Sequence, residues 1–393
     1  MKRVFLSYRR TDVAAVRALA KALRHAGLRV WRDEDDLAAG LSTEGEIRAA
    51  LAESCDTAVL WCTAQALESD YVMDIELPAI LRAVAAGRVS FVPVFAGLSP
   101  AAAEQAVLAR KGESIGGYSG VVAKPGEDPE ALAQRIAERV ARAHLKRVGP
   151  HEDAAPVIRA VTRDDTAGGR DEATLDFDWR DAYAGDRIPD AATQAELQKA
   201  LDQSVGALFE TWSRPGNVRL ELKTHLSVAF AFGDRLRRPT DARPYLEFRG
   251  TPWQAGATAG RDVSPLVERI EYGPSTSPEL AVEVSLTNPV SRGVRDLVRA
   301  RGLAFRARLC FEPETGPSQE LALDEQTVNA WARHVRERTT RWYNEVDATE
   351  IALFYSGPVE IAVLLGWWSN AAGPLTIYDW GRNGPYRPGW TIR

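Results

Sequence analysis

The sequence is poor in the residues that most often signal a metal-based or disulfide framework. It holds three cysteines, five histidines and two methionines among 393 residues. Cys55, Cys62 and Cys310 have neither CxxC spacing nor an even count, which argues against a zinc knuckle and a disulfide scaffold. The histidines are scattered, so neither a histidine metal site nor a triad is supported, and no metal or cofactor is expected. No GxxxxGKS/T loop, GxSxG elbow or HExxH helix occurs. An excess of cations is missing as well: 49 Lys plus Arg stand against 54 Asp plus Glu, a formal net charge of −5. Long nucleic acid gripped through a basic surface is therefore not an expected partner. The longest apolar run, Ile361 to Trp368, falls far short of the roughly 20 residues that span a bilayer, so no membrane is expected. The start from Met1 to Arg10 returns to charge too soon for a secretory signal, and a cytoplasmic location is expected.

What is present fits a globular protein of several domains. The hydrophobic fraction is 45%, and at roughly 150 residues per domain the length accommodates two or three. Tryptophan is unevenly spread: residues 1–150 contain only Trp31 and Trp61 of the 11, and the remainder lie beyond. Two segments of different composition point to two jobs.

The first hundred residues alternate short apolar strands with helical spacing. Val4–Tyr8, Leu28–Trp31, Thr57–Trp61 and Val89–Phe95 read as strands. Between the first two, Asp12 can cap a helix with apolar Val13, Val16, Leu19, Ala20 and Leu23, closed by Gly27. Ser69-Asp70 can cap another over Tyr71 to Ala86, and Ala131 to Val148 is a further amphipathic helix. This order predicts a parallel sheet covered by helices. Residues 149–174 are rich in Pro, Gly, Asp and Ala without period and read as a linker. Beyond it, strands are expected at Val218–Phe232, Pro244–Phe248, Leu280–Leu286, Ala304–Phe311, Glu350–Tyr355 and Leu375–Trp380. Helices are expected at Ala192–Trp212, Gly293–Ala300, Thr327–Asn344 and Val359–Ser369. A strand that ends in a polar turn and enters a helix occurs twice, at Val284–Gly293 and Leu353–Glu360, which hints at a duplication.

In the first segment the candidate chemistry is a carboxylate set, Asp74 and Glu76, just inside the helix that starts near Tyr71. Both also suit the positive end of a helix dipole without further purpose. Four blocks here resemble bacterial Toll/interleukin-1 receptor (TIR) domains in order and spacing. They are Phe5-Leu6-Ser7-Tyr8-Arg9-Arg10 with Asp12; Gly27–Trp31 with Asp33; Leu37–Gly40; and Ser69, Tyr71 and Glu76-Leu77. Many such domains cleave NAD⁺ between nicotinamide and ribose, and the resemblance implies that Glu76 is the catalytic glutamate. Tyr71 stands five residues before Glu76, whereas the family's aromatic commonly stands four before. Asp74 therefore stays an alternative, although the Glu-Leu pair favours Glu76. The chemistry suits one carboxylate: nicotinamide leaves as a neutral molecule, so only the oxocarbenium-like transition state needs a negative partner. Phe5, Arg9, Trp31 and Tyr71 are the expected NAD⁺-binding residues, with core packing the alternative for Phe5 and Trp31. The acidic stretch Asp33 to Asp36 reads as a solvated loop rather than a metal site. By the same resemblance the loop containing Asp33, Asp36, Leu37 and Gly40 contacts a neighbouring TIR domain.

The last third resembles the SAVED sensor domain of bacterial anti-phage systems, on Leu353–Pro358, Ile361–Gly366, Thr376–Trp380 and Tyr386–Trp390. The expected fold class is thus α/β throughout. A flavodoxin-like TIR domain occupies residues 1–148, its core about 1–100 plus a C-terminal helix. The linker 149–174 follows, then a SAVED domain at 175–393 made of two Rossmann-like, CARF-like halves. Such sensors bind cyclic oligonucleotides. Strands ending in Ser, Thr, Asn or Gly before a helix present N–H groups and hydroxyls to an anion. Ser285, Thr287, Asn288, Ser356 and Gly357 are such positions, and Arg292 can pair a phosphate. Tyr355, Tyr378, Trp380 and Tyr386 can stack on bases or fill the core. The resemblance implies a ligand-gated NAD⁺ hydrolase. A partner nucleotidyltransferase supplies a cyclic oligonucleotide, typically cyclic tri-adenylate, and chains assemble into an oligomer or filament that completes the active site. Two other readings stay open: a TIR domain that only mediates contacts, and a sensor that cleaves its own ligand.

Overall fold

The computed structural model describes residues 2–31, 43–149, 155–163, 173–184, 187–212, 216–240, 242–257, 265–274, 276–369, 373–381 and 386–392. Asp33, Asp36, Leu37 and Gly40 lie outside the described residues. The chain divides into two compact units. One comprises Met1–Ala154, Gly169–Asp178 and Leu197–Ser213; the other comprises Ala155–Gly168, Trp179–Glu196 and Arg214–Arg393.

The first unit opens with β1 (Arg3–Ser7), α1 (Val13–His25), β2 (Val30–Trp31), α2 (Thr43–Ala49), β3 (Cys55–Cys62) and α3 (Ala64–Glu68). It continues with α4 (Leu77–Ala85), β4 (Ser90–Phe95), α5 (Pro100–Lys111), β5 (Val121–Val122) and α6 (Pro129–Val148). The five strands pair in the order β2-β1-β3-β4-β5, all parallel. That is the 2-1-3-4-5 order of flavodoxin-like sheets. Every residue of the central strand β3 is buried, as a strand covered on both faces requires. The apolar stripe of α1 behaves as its period predicts, with Val16, Leu19, Ala20 and Leu23 buried, and Gly27 leaves the helix at φ +78°. Asp12 does not cap it: Arg10–Asp12 forms a 3₁₀ turn, and the Asp12 carboxylate accepts a 3.0 Å hydrogen bond from Thr63 Oγ1 instead. The helix expected over Tyr71–Ala86 is also divided. Tyr71–Glu76 is a π-helical turn, and α4 begins at Leu77 with Pro78 in its first turn, where no N–H is missed.

The second unit holds two sheets. The first part contributes β6 (Val157–Val161), β7 (Asn217–Lys223), α7 (Leu226–Thr240), β8 (Arg243–Phe248) and β9 (Thr251–Gln254). Within this unit these strands run β9-β8-β7-β6, with β6, β7 and β8 parallel and β9 antiparallel. The second part contributes β10 (Val267–Tyr272), β11 (Glu279–Ser285), α8 (Ser291–Arg301), β12 (Ala307–Glu312) and α9 (Glu325–Glu345). It ends with β13 (Glu350–Ser356), α10 (Val359–Trp368), β14 (Leu375–Trp380) and β15 (Tyr386–Ile392). Its six strands run β10-β12-β11-β13-β14-β15, with a parallel centre and antiparallel edges.

Three expectations change here. The 149–174 stretch contains the strand β6, whose Ile158, Ala160 and Val161 are buried. The strand expected over Val218–Phe232 ends at Lys223, and Leu226 onward is α7. Its start is capped from far away in sequence, by the Asp379 carboxylate of β14 accepting from the Ser227 N–H at 3.1 Å. The two repeated strand–turn–helix units are not one per sheet. β11 with α8 and β13 with α10 stand side by side in the same sheet, Ser285 paired with Ser356.

Candidate functional site

In the first unit, Glu76 is the last residue of the π turn and only 2% exposed. Its Oε2 accepts a 2.6 Å hydrogen bond from Ser7 Oγ, at the carboxyl end of β1. That edge is where a doubly wound sheet places its crevice. Asp74, two residues earlier, faces outward. Lys111 Nζ and Arg110 Nη2, both on α5, each donate to it at 3.0 Å, and these bonds, Lys111 first, hold its carboxyl below the usual range. The two carboxylates that sequence left in competition are thus separated: one is buried against β1, the other is neutralised at the surface.

The other residues expected around NAD⁺ are distributed differently from expectation. Phe5 and Trp31 stack on each other at 4.9 Å and 19°, across the β1–β2 pairing, inside the main apolar core. They pack the core, which leaves them no open face for a dinucleotide. Tyr71 is half-buried and packs against that core. Arg9 Nη1 donates to the Gln65 carbonyl at 2.7 Å, tying the chain after β1 to α3.

The second unit presents a cavity of about 710 Å³ at the carboxyl ends of β11, β13 and β14. Its lining includes Thr287, Asn288, Arg292, Tyr355, Ser356, Gly357 and Trp380. The adjacent strand ends are knitted together: the Leu286 and Thr287 N–H groups both donate to the Ser356 carbonyl, at 2.8 and 3.0 Å. Thr287 Oγ1 and Ser356 Oγ lie 3.0 Å apart, and Asn288 Nδ2 donates to both hydroxyls at 3.3 and 3.5 Å. Trp380 is 56% exposed and meets Tyr386 edge-on, ring centres 5.0 Å apart. A large exposed indole beside hydroxyls and a guanidinium is a stacking platform with phosphate partners at hand. Burial raises the hydroxyl pKa of Tyr355 and Tyr386, so both remain neutral. Tyr355 spends its proton on the Pro358 carbonyl, at 2.8 Å, which shapes the turn into α10.

A second cavity, of about 320 Å³, shares Thr287 and Gly357 with the first and adds Phe248, Arg249, Ser318, Gln319 and Glu360. Burial raises the Glu360 carboxyl above the usual range.

The sequence profile of the SMODS-associated and fused to various effectors sensor domain, SAVED, matches residues 185–392, more than half of the chain. The chain belongs to the SAVED family. A TIR domain profile matches residues 4–115, the segment that carries the flavodoxin-like sheet. Similar solved structures include the Acinetobacter baumannii Cap4 SAVED/CARF-domain containing receptor with the cyclic trinucleotide 3′3′3′-cAAA. It is 13% identical, with 98% of this chain and 99% of that one covered and a TM-score of 0.52. The same receptor with 2′3′3′-cAAA is likewise 13% identical, over 96% and 97% of the two chains, with a TM-score of 0.52. At that identity the likeness is one of fold. No relative is found among the curated proteins.

Within the SAVED domain, two of the residues expected at a nucleotide site stand elsewhere. Ser285 Oγ accepts from the Val290 N–H at 3.1 Å and turns the chain toward α8. Tyr378 packs on Phe354 in the core, ring centres 4.6 Å apart. Tyr386 does line the cavity. Sequence reasoning missed Gly293, whose missing side chain admits two rings: a Cβ there would lie 2.5 Å from the Trp380 ring and 3.0 Å from Tyr386. It also missed Asp296 and Leu226, and every residue of the second cavity except Thr287 and Gly357. No sequence signal marked the latter, since Arg249-Gly250 lacks the Asn-Gly, Asp-Gly or Gly-Gly signature of a two-residue hairpin. Among the described residues no helix is long and apolar enough to cross a membrane.

Proposed function

We propose that this protein is an anti-phage effector in which a cyclic oligonucleotide bound to the SAVED domain switches on cleavage of NAD⁺ by the TIR domain. The observation that carries the reading is the cavity at the strand ends of the SAVED domain. It combines an exposed indole, a guanidinium and a row of hydroxyls in about 710 Å³, within the size range of ligand pockets. A small ring held there is compatible with the net charge of −5, because only a few phosphates need partners. The cyclic trinucleotides held by the Cap4 receptors make cyclic tri-adenylate the first activator to test.

Glu76 is the proposed catalytic residue. Nicotinamide departs as a neutral leaving group, and the carboxylate stabilises the cationic ribosyl carbon as the glycosidic bond breaks. Water then supplies the new bond, giving nicotinamide and ADP-ribose. Ser7 holds the carboxylate through its 2.6 Å hydrogen bond. A carboxylate that is 2% exposed is not accessible to a dinucleotide until the residues covering it move. Such a site is silent at rest, which fits control by assembly of neighbouring TIR domains.

The test is to incubate the full chain with NAD⁺ and a panel of cyclic di-, tri- and tetranucleotides. Nicotinamide release is expected with one of them and falls at least about 100-fold in Glu76→Gln. NAD⁺ left intact with every ligand, while the protein still assembles, would instead identify a TIR domain that only mediates contacts. Breakdown of the ring itself would identify a sensor that degrades its ligand.

A further inference from the structure

The hairpin joining β8 to β9 contains a residue that its backbone does not favour. Phe248 pairs with Thr251, so the loop is the dipeptide Arg249-Gly250, and both residues have positive φ, +49° and +81°. Two-residue loops of this kind favour Asn-Gly, Asp-Gly or Gly-Gly, because a Cβ is crowded in the left-handed region. Arginine at the first position is held there against its conformational preference. A residue kept in such a conformation at the rim of a cavity points to a role for its side chain.

The side chain is well supported. Its guanidinium lies 5.0 Å from the centre of the Phe248 ring, and Phe248 in turn stacks on Trp253 at 4.4 Å and 25°. Nη2 donates to the Gln319 carbonyl at 3.3 Å. Among the described residues Arg249 is the cation lining the 320 Å³ cavity, as Arg292 is the cation lining the 710 Å³ cavity, and the two cavities share Thr287 and Gly357. A guanidinium has five donors, so a two-pronged contact to phosphate is compatible with the bond it gives Gln319. Glu360 faces the same space.

We infer that Arg249 binds a phosphate of the cyclic oligonucleotide, which spans both cavities across Thr287 and Gly357 with one arginine to each lobe. The inference rests on the reading that the SAVED domain takes a cyclic oligonucleotide, and it adds a second phosphate subsite to it.

The turn itself supplies a clean variant. Asparagine suits the left-handed position better than arginine, so Arg249→Asn is expected to keep or raise the melting temperature while removing the cation. Binding of 3′3′3′-cyclic tri-adenylate and the other rings of the panel is measured on the full chain over a range of salt concentrations. The expected result is affinity weakened at least about tenfold, with the slope of log K against log salt smaller by about one, as follows when one phosphate is no longer neutralised. Arg249→Lys keeps the charge and is expected to keep the salt slope with an intermediate affinity. Arg249→Gly, which also suits the turn, must reproduce the asparagine result. Unchanged affinity, or an unchanged salt slope, in the asparagine and glycine variants overturns the inference and leaves Arg249 as a hairpin residue only. Failure of the wild-type protein to bind any ring is a different outcome and overturns the underlying reading of the sensor.

Discussion

The hydrogen bond between Ser7 and Glu76 joins two points 69 residues apart in sequence, and it is what orients the proposed catalytic carboxylate. Replacing the hydroxyl leaves the carboxylate in place but removes one of the groups that aim it. Ser7→Ala is therefore expected to lower kcat for nicotinamide release about tenfold with KM little changed, since positioning acts on the transition state more than on binding. A changed KM with unaltered kcat would assign Ser7 to substrate binding instead. Another buried residue sets a pH limit on the TIR domain. His25 on α1 is 7% exposed, and burial, then Lys21 and Arg24, lower its pKa from 6.5 to about 4. The folded state thus binds fewer protons than the unfolded one between those values. The stabilisation is fully present above pH 6.5 and declines as pH falls toward 4, at up to about 1.4 kcal/mol per pH unit. Urea unfolding at about pH 7 and about pH 5 should show that decline in the wild type and a smaller one in His25→Gln; equal declines would remove His25 as the source. Neither contact was legible from spacing alone. The motif that singled out Glu76 says nothing of Ser7 as its partner, and Asp74 was separated from Glu76 by the burial of Glu76 against β1 and by the bonds Asp74 accepts from Lys111 and Arg110 on α5.

At the scale of elements, close approaches of backbone decide the sensor's shape. α7 and α10 cross through glycines: a Cβ on Gly366 would collide with the Phe230 carbonyl oxygen, and one on Gly233 with that of Val363. Gly366→Ala is expected to destabilise the SAVED domain by roughly 3 kcal/mol or more, because two helix backbones must separate. A melting temperature within a degree of wild type would show that the helices shift without penalty. Gly293 is a parallel case at the 710 Å³ cavity, where Gly293→Ala should displace Trp380 and Tyr386 and, on the proposed function, weaken ring binding. The periodic helices, α1, α6 and α9, were readable because each buries a face that its own pattern defines, and the strands β11 to β14 because they are short, mostly apolar runs buried nearly throughout. The start of α7 was not. Leu226–Phe232 is apolar throughout except for Ser227, so it suits a strand or a helix equally, and the cap that decides comes from Asp379 in β14.

For the whole molecule, the paired TIR and SAVED profiles make activation by assembly the prediction with the widest reach. If a neighbouring chain completes the NAD⁺ site, light scattering should show growth when activator is added. Specific activity should then rise with protein concentration rather than stay constant. Constant specific activity from a particle of unchanged mass would place the whole site in one chain.

The first four strands of the TIR segment, the identity of both domains and most residues lining the larger cavity followed from sequence, because they depend on local period and on motifs contiguous in the chain. Phe5, Trp31 and Tyr378 were open between core and ligand, since an aromatic at a strand end serves either purpose; only packing placed them inside. The joining of β11 and β13 in one sheet, and the meeting of two cavities at Thr287 and Gly357, were likewise decided by tertiary structure. Thr287 and Ser356, which meet where those strands end, are 69 positions apart, a separation over which no periodicity in the sequence carries information.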